Sequence, residues 1–472
     1  MSIIRLLHVA TVCFTTLLFA ATGWAQADAK TDAISTASPA APASDLSVRQ
    51  RAQPSMDQDR AETVPVAVKT ATELGIMQGR PVSLDNRVTL SNWMTAPYNR
   101  WSLQHIPQIL PIATIYRGDG PIAELPLHKR DLSALWVTSA TGDRLTIAQW
   151  LATSYTDGFI VLQNGQIVFE VYLNNMRSQT RHLTYSITKS VIGILAGILV
   201  DDGDLDLART AEEYVPELQH SGFAGYTIRD LLDMQAAIEW NEDYVNPDSP
   251  WRRWKDSIGW TPSSGDSGHA PQGNYNFLPT LRRDPAWSGG FKYVSPSAEV
   301  VGWVLERAGG EPLAELLSRR LWAALGEERD AFLTTDRSFA PAAAGGFGAT
   351  LRDLARFGQM VLNEGILNER RIVSREWITD IRFNGSNKAW RNGQYRGRWN
   401  PDGAYRSFWY IAGDADGSFE AIGIHGQRLF INPARKLVIV RLSSCPDAVS
   451  RTDYDLSSRV IATIDSALQE QP

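Results

Sequence analysis

The chain has 472 residues, with 46 Lys+Arg against 52 Asp+Glu for a formal charge of −6, and 43% of the residues are hydrophobic. With 16 Trp, 14 Tyr and 15 Phe there is material for a large core, which excludes global disorder. The mildly acidic balance excludes an electrostatic footprint for nucleic acid or anionic membrane, and 2 cysteines exclude a disulfide framework or a thiolate zinc site.

In chain order, the first segment reads as an export signal. Arg5 precedes an apolar run from Leu6 to Ala21, and Ala25-Gln26-Ala27 supplies the small residues of a cleavage site. The run is too short for a spanning helix, so residues 1–27 are expected to be removed and the protein to be periplasmic or secreted, with no other membrane association. Cleavage takes Cys13 and leaves Cys445, which sits in Ser-Ser-Cys-Pro after an apolar strand and reads as a packed thiol. No aromatic residue occurs between Asp28 and Asn92, and Ser35–Ser44 is Ala/Ser/Pro low complexity. Residues 28–90 are therefore read as a flexible linker and N-terminal extension, and 91–472 as the folded domain.

Two β-rich runs, Phe159–Gln163 and Gln166–Leu173, flank Asn164-Gly165, a strong hairpin signal because both turn positions need positive φ. An apolar helix is predicted from Ser186 to Val200, with Gly193, Ala196 and Gly197 permitting close packing and Asp201-Asp202-Gly203 as its stop. Residues 204–300 mix short helices with Trp-rich loops. Strands return at Glu420–Ile424, Gln427–Ile431 and Lys436–Leu442, before a final helix over Ser450–Gln469. Sheet-forming pieces at both ends with helices between them predict an α+β fold: one antiparallel sheet, flanked by helices, with a mainly helical insertion.

Ser186 and Lys189 open the apolar helix as Ser-Ile-Thr-Lys. Positions i and i+3 share a helix face, so hydroxyl and amine can touch. Serine becomes a useful nucleophile when a base takes its proton, and lysine is such a base once burial and a nearby positive potential lower its pKa. A helix N-terminus supplies that potential, together with N–H groups able to stabilise an oxyanion. The competing reading is a capping serine with a snorkelling lysine.

With these residues in view, the chain from about 95 to 465 resembles serine hydrolases of the β-lactamase and penicillin-recognising superfamily. Within it the similarity is to class C β-lactamase-like and 6-aminohexanoate-dimer (nylon oligomer) hydrolases. The matching segments are Tyr185–Ser190, Phe291–Ser295, Val301–Arg307, Ala343–Gly358 and Gly423–Gln427. The resemblance implies the β-lactamase/transpeptidase-like fold and a serine acyl-enzyme, with no cofactor and no metal. It also implies that Tyr293, in Tyr293-Val294-Ser295, moves protons beside the nucleophile and that Ser295, where lactamases carry Asn, orders the site. The lactamase Lys-Thr-Gly strand is matched here by His425-Gly426-Gln427. Glycine would let substrate approach a backbone N–H of the oxyanion hole, with the register open by one around Gly426. His425 would stand in for the lysine as a pH-dependent polar group.

Loss of the permanent positive charge of Lys-Thr-Gly favours small-molecule amides or esters over penicillins and peptide termini. Tyr244, in Glu242-Asp243-Tyr244, is the candidate for the gate tyrosine of nylon-oligomer hydrolases. Trp240, Trp251, Trp254, Trp260 and Trp287 are candidates for a cleft lining or for an apolar cluster under loops. Gly265-Asp266-Ser267-Gly268 imitates a chymotrypsin-type serine segment but has no strand around it. Neither a Gly-x-Ser-x-Gly elbow nor a metal or phosphate-loop motif occurs. The function expected is hydrolysis of a small amide or ester through Ser186, Lys189 and Tyr293. A β-lactamase or D,D-peptidase, or a non-catalytic binding protein on the same scaffold, is the alternative.

Overall fold

The computed structural model describes residues 66–262, 272–287, 289–397 and 400–469. The expected signal segment, most of the expected linker and the Gly265-Asp266-Ser267-Gly268 stretch lie outside them.

The hairpin forms as the Asn-Gly pair demands. Strands β1 (Thr156–Gln163) and β2 (Gln166–Tyr172) meet across Asn164 at φ 52° and Gly165 at φ 76°. Helix α1 (Ile187–Asp201) follows, then α2 (Ser295–Gly309) and α3 (Leu351–Leu362). The last third builds β3 (Ala404–Arg406), β4 (Trp409–Ile411), β5 (Phe419–Gly423), β6 (Gln427–Asn432) and β7 (Leu437–Ser443), and ends in α4 (Arg451–Gln469). The sheet order is β3-β4-β5-β6-β7-β1-β2, antiparallel throughout. Strand β7 pairs with β1 from Leu437↔Gln163 to Ser443↔Thr156, so strands from both ends of the domain are neighbours in one sheet.

Both faces of this sheet are covered, which is why β1 is buried from Thr156 to Leu162 and continuously apolar over Phe159–Leu162. Phe159, Val161, Leu437 and Ile439 point to one face and pack with Val460, Ile461 and Ile464 of α4. Ile160, Leu162, Val438 and Val440 point to the other, into the main core with α1 and α3. Close approach is bought with glycine: a Cβ on Gly358 of α3 would lie 2.7 Å from Val438 Cγ1. On α1, a Cβ at Gly193 would overlap the Ser407 carbonyl oxygen. Gly193→Ala is therefore expected to destabilise by about 1–3 kcal/mol, although alanine is the better helix former, because overpacking outweighs propensity. Thermal unfolding of the purified variant reads this directly, and an unchanged or raised midpoint contradicts it.

Two features depart from the sequence reading. The aromatic-free extension is not all tether: the Val68 N–H donates to the Ala152 carbonyl at 2.8 Å, the Ala71 N–H donates to Asn174 Oδ1 at 2.8 Å, and Ala71 and Ile76 are buried. Small apolar residues and backbone bonds suffice to dock it. A second, small sheet orders Ile112–Ile115, Ala331–Thr334, Phe347–Ala349 and His182–Leu183, with strands too short for a pattern to show. It fixes the approach to Ser186: the Thr184 N–H donates to the Phe347 carbonyl at 2.9 Å.

Candidate active site

Ser186 occupies the N-cap position of α1, but its side chain caps no helix N–H. The preceding Tyr185 takes φ 46°, a left-handed turn that swings the chain from the small sheet into the helix. One turn on, Lys189 Nζ lies 3.0 Å from Ser186 Oγ and donates to the Ala344 carbonyl at 2.7 Å. Lys189 is 1% exposed. Burial pushes its pKa down from 10.5 to about 8, against the opposing charges of Glu242 and Glu299. The capping-serine reading does not hold here: the hydroxyl faces a buried amine whose proton affinity is lowered toward neutrality.

Tyr293 lies beside the same hydroxyl: Ser186 and Tyr410 are the polar neighbours that act on its phenol, and Lys189 Nζ sits 5.0 Å from its ring centroid. Burial and the charge of Glu242 hold the phenol well above its ordinary value of 10. Near neutrality it keeps its proton, so of the two groups beside Ser186 the lysine, with its lowered pKa, is the one able to act as a base. Ser295 starts α2 and borders the pocket, its N–H donating to Glu242 Oε1 at 2.9 Å.

Glu242 organises one wall. It accepts from Trp240 Nε1 at 2.7 Å and from the Tyr244 hydroxyl at 3.0 Å, besides Ser295. Tyr244 thereby stands in the pocket beside Ser186, edge-on to Trp251 at 4.9 Å. Trp251, Trp254 and Trp260 line the pocket too, whereas Trp240 supports Glu242 from behind and Trp287 packs under Lys292.

At the end of β5 the structure reassigns the strand residues. His425 takes φ 62° and is 3% exposed; its Nδ1 donates to the Cys445 carbonyl at 2.7 Å, and burial lowers its pKa to about 4. It is a neutral packing residue against Tyr185, not a titrating replacement for a lactamase lysine. The His425 N–H is spent on the Ala448 carbonyl at 2.9 Å. Gly426, at φ 89°, makes the turn, and a Cβ there would sit 3.0 Å from Ser443 Oγ. Gln427 ties strand ends together: Nε2 donates to the Ser443 carbonyl at 2.5 Å and Oε1 accepts from the Ser443 N–H at 3.0 Å, leaving little for a ligand. The residue of this segment that borders Ser186 is Ile424, two positions earlier than the expected glycine. Cys445 is buried, with its thiol pushed up to about 11.

Sequence reasoning missed Glu299. This carboxylate, 1% exposed on α2, accepts from the Ala343 N–H at 2.9 Å, the Ala344 N–H at 2.8 Å and Asn274 Nδ2 at 2.6 Å. It thus holds the loop whose Ala344 carbonyl holds Lys189. Burial raises its pKa to about 7 while those donors and Lys189 pull it down. An acidic residue inside the otherwise apolar stretch Ala298–Leu305 was the available signal. Also unforeseen was the aromatic group around Tyr293, where Tyr405 and Tyr410 pack at centroid distances of 6.5 and 6.4 Å. Among the described residues no cluster of three or more His, Cys, Asp or Glu is placed to hold a metal ion, and no helix is long and apolar enough to cross a membrane.

The β-lactamase family model matches residues 152–461. The 6-aminohexanoate-dimer hydrolase of Paenarthrobacter ureafaciens is 37% identical over 381 residues, 80% of this chain and 94% of that protein. A Bacillus anthracis structure carrying the same activity as a provisional name superposes with a TM-score of 0.75 at 29% identity, covering 83% of this chain and 99% of the other. EstCE1, a hydrolase with promiscuous acyltransferase activity, shares the fold at TM-score 0.53 and 16% identity, over 68% of this chain and 96% of its own. With a buried lysine against a helix-start serine, and with matches that span most of the molecule, the chain belongs to the β-lactamase family of serine hydrolases.

Proposed function

We propose that the protein is an exported amidase that cleaves small linear amides, of the 6-aminohexanoate-dimer type, through an acyl-enzyme on Ser186. The observation that carries the reading is the 3.0 Å contact between Ser186 Oγ and the buried Lys189 amine. Neutral Lys189 takes the hydroxyl proton as Oγ attacks the amide carbon. The N–H groups of Ser186 and Ile424 receive the oxyanion. Protonation of the leaving nitrogen, from Lys189 through Tyr293, breaks the C–N bond and releases the amine; Tyr244 covers the scissile group. Water, deprotonated by the same lysine, then hydrolyses the ester and restores Ser186. Export is supported by the N-terminal pattern through Ala27.

A fluorophosphonate probe tests the nucleophile. The wild type is expected to label at Ser186 and to hydrolyse 6-aminohexanoate dimer, while Ser186→Ala does neither and remains folded. Equal labelling of Ser186→Ala, or a folded wild type inert to probe and dimer alike, refutes the reading.

A further inference from the structure

The helix Pro250–Ser257 brings Trp251 and Lys255, one turn apart, to the same wall of the catalytic cleft. Trp251 belongs both to the inner pocket with Ser186 and to the wider cleft outside it. Tyr244 packs edge-on against one side of the Trp251 ring at 4.9 Å, and Lys255 Nζ lies 4.6 Å from the ring centroid. Tyr244, Trp251 and Lys255 therefore run outward in sequence from the nucleophile.

Among the described residues, Lys255 differs from the other cations of this cleft in having no carboxylate partner. Arg428 is paired with Glu420 at 2.7 Å and Arg451 with Asp455 at 3.6 Å. Asp256, next to Lys255, is taken by Arg252 at 2.8 Å and by the Thr261 hydroxyl. Glu242 is committed to Trp240, Tyr244 and Ser295, and Asp243 accepts from the N–H groups of Val245 and Asn246. A half-buried ammonium without a carboxylate is under-solvated, and its pKa falls to about 8. The ring of Trp251 offsets part of that cost; an anion would offset more, since charge-assisted hydrogen bonds are the stronger kind.

We infer that Lys255 is an anion-binding subsite, and that the preferred substrates are amides or esters carrying a carboxylate on an arm that lies along Trp251. The inference rests on the hydrolase reading above and deepens it. The carboxylate can belong to the acyl or to the leaving half, and two substrate series separate these. In the acyl series, glutaryl-p-nitroanilide is compared with valeryl-p-nitroanilide and 5-aminopentanoyl-p-nitroanilide. In the leaving-group series, a phenyl butyrate with a para-carboxylate is compared with its para-carboxamide.

In at least one series the wild type is expected to favour the anion by about tenfold in kcat/KM, mainly through KM. Lys255→Met keeps the stem over Trp251 and loses the preference; Lys255→Arg retains it. Turnover with anion-to-neutral ratios that agree within about twofold between wild type and Lys255→Met in both series overturns the subsite alone. Absence of turnover together with absence of fluorophosphonate labelling overturns the hydrolase reading and the subsite with it.

Discussion

Lys189→Met is expected to lower kcat/KM for amide hydrolysis by about 10²- to 10⁴-fold, the usual range for loss of a positioned general base. The long apolar side chain fills the space of the lysine stem, so the loss is chemical rather than structural. In the wild type the base form appears as pH rises through about 8, and kcat/KM should climb with it; the variant has no such limb. Stability carries an independent signature. Because the folded pKa of about 8 lies below the ordinary 10.5, the unfolded chain takes this proton more readily. The cost of the buried amine is then full below about pH 8 and is relieved between about 8 and 10.5. Relative to Lys189→Met, the wild type should gain thermal stability across that window. A difference in melting temperature independent of pH from 7 to 11, or a variant retaining the alkaline limb, would count against Lys189 as the buried base.

Glu299→Gln should produce the second large effect, although Glu299 does not reach the pocket. The amide is isosteric but has one acceptor oxygen where the carboxylate uses two for the Ala343 and Ala344 N–H groups. One buried donor is left without a partner, and the loop bearing the Ala344 carbonyl shifts with its grip on Lys189 Nζ. A small misplacement of a catalytic group costs up to about 10²-fold, and a fall in kcat of that order is expected with KM little changed. Removal of a negative charge that supports protonated Lys189 also moves the limb of the pH profile to lower pH. The other charged groups acting there are Glu242 beside Lys189 and, near Glu299, Asp336, which accepts from the Asn274 N–H at 2.7 Å. Glu299→Asp, which keeps the charge, should restore the midpoint even where it recovers only part of kcat. If Glu299→Gln merely lowered the melting temperature and left the profile in place, Glu299 would be a core residue and nothing more.

The two variants differ in what they expose. Methionine at 189 removes the base, while glutamine at 299 leaves the base and alters its orientation and proton affinity. Loss of the limb itself belongs to the first, and lower activity with a shifted limb to the second.

Much of this was legible in consecutive residues. The Asn164-Gly165 turn, the start of α1 at Ser186 and the last three strands appear within a residue or two of their expected bounds, since turn chemistry, capping and apolar runs are short-range properties. The pair Ser186 and Lys189 belongs to the same class, because one helical turn is enough to bring them together. What the tertiary structure alone decided is the duty of each polar side chain. Ala344 lies 155 residues from the lysine it binds and 45 from the glutamate that holds it. His425 and Gln427 resembled ligand groups in the strand, yet their partners, Cys445 and Ser443, consume them. Lys255 is singled out by the opposite circumstance, a charge near the cleft that no carboxylate among the described residues matches. A buried hydrogen bond is satisfied by whichever chain segment the fold delivers, and local sequence carries no record of that segment. Local pattern therefore determined the main elements and the Ser186–Lys189 pair, and long-range packing decided which of the remaining polar groups are taken up by the protein and which stay open to the cleft.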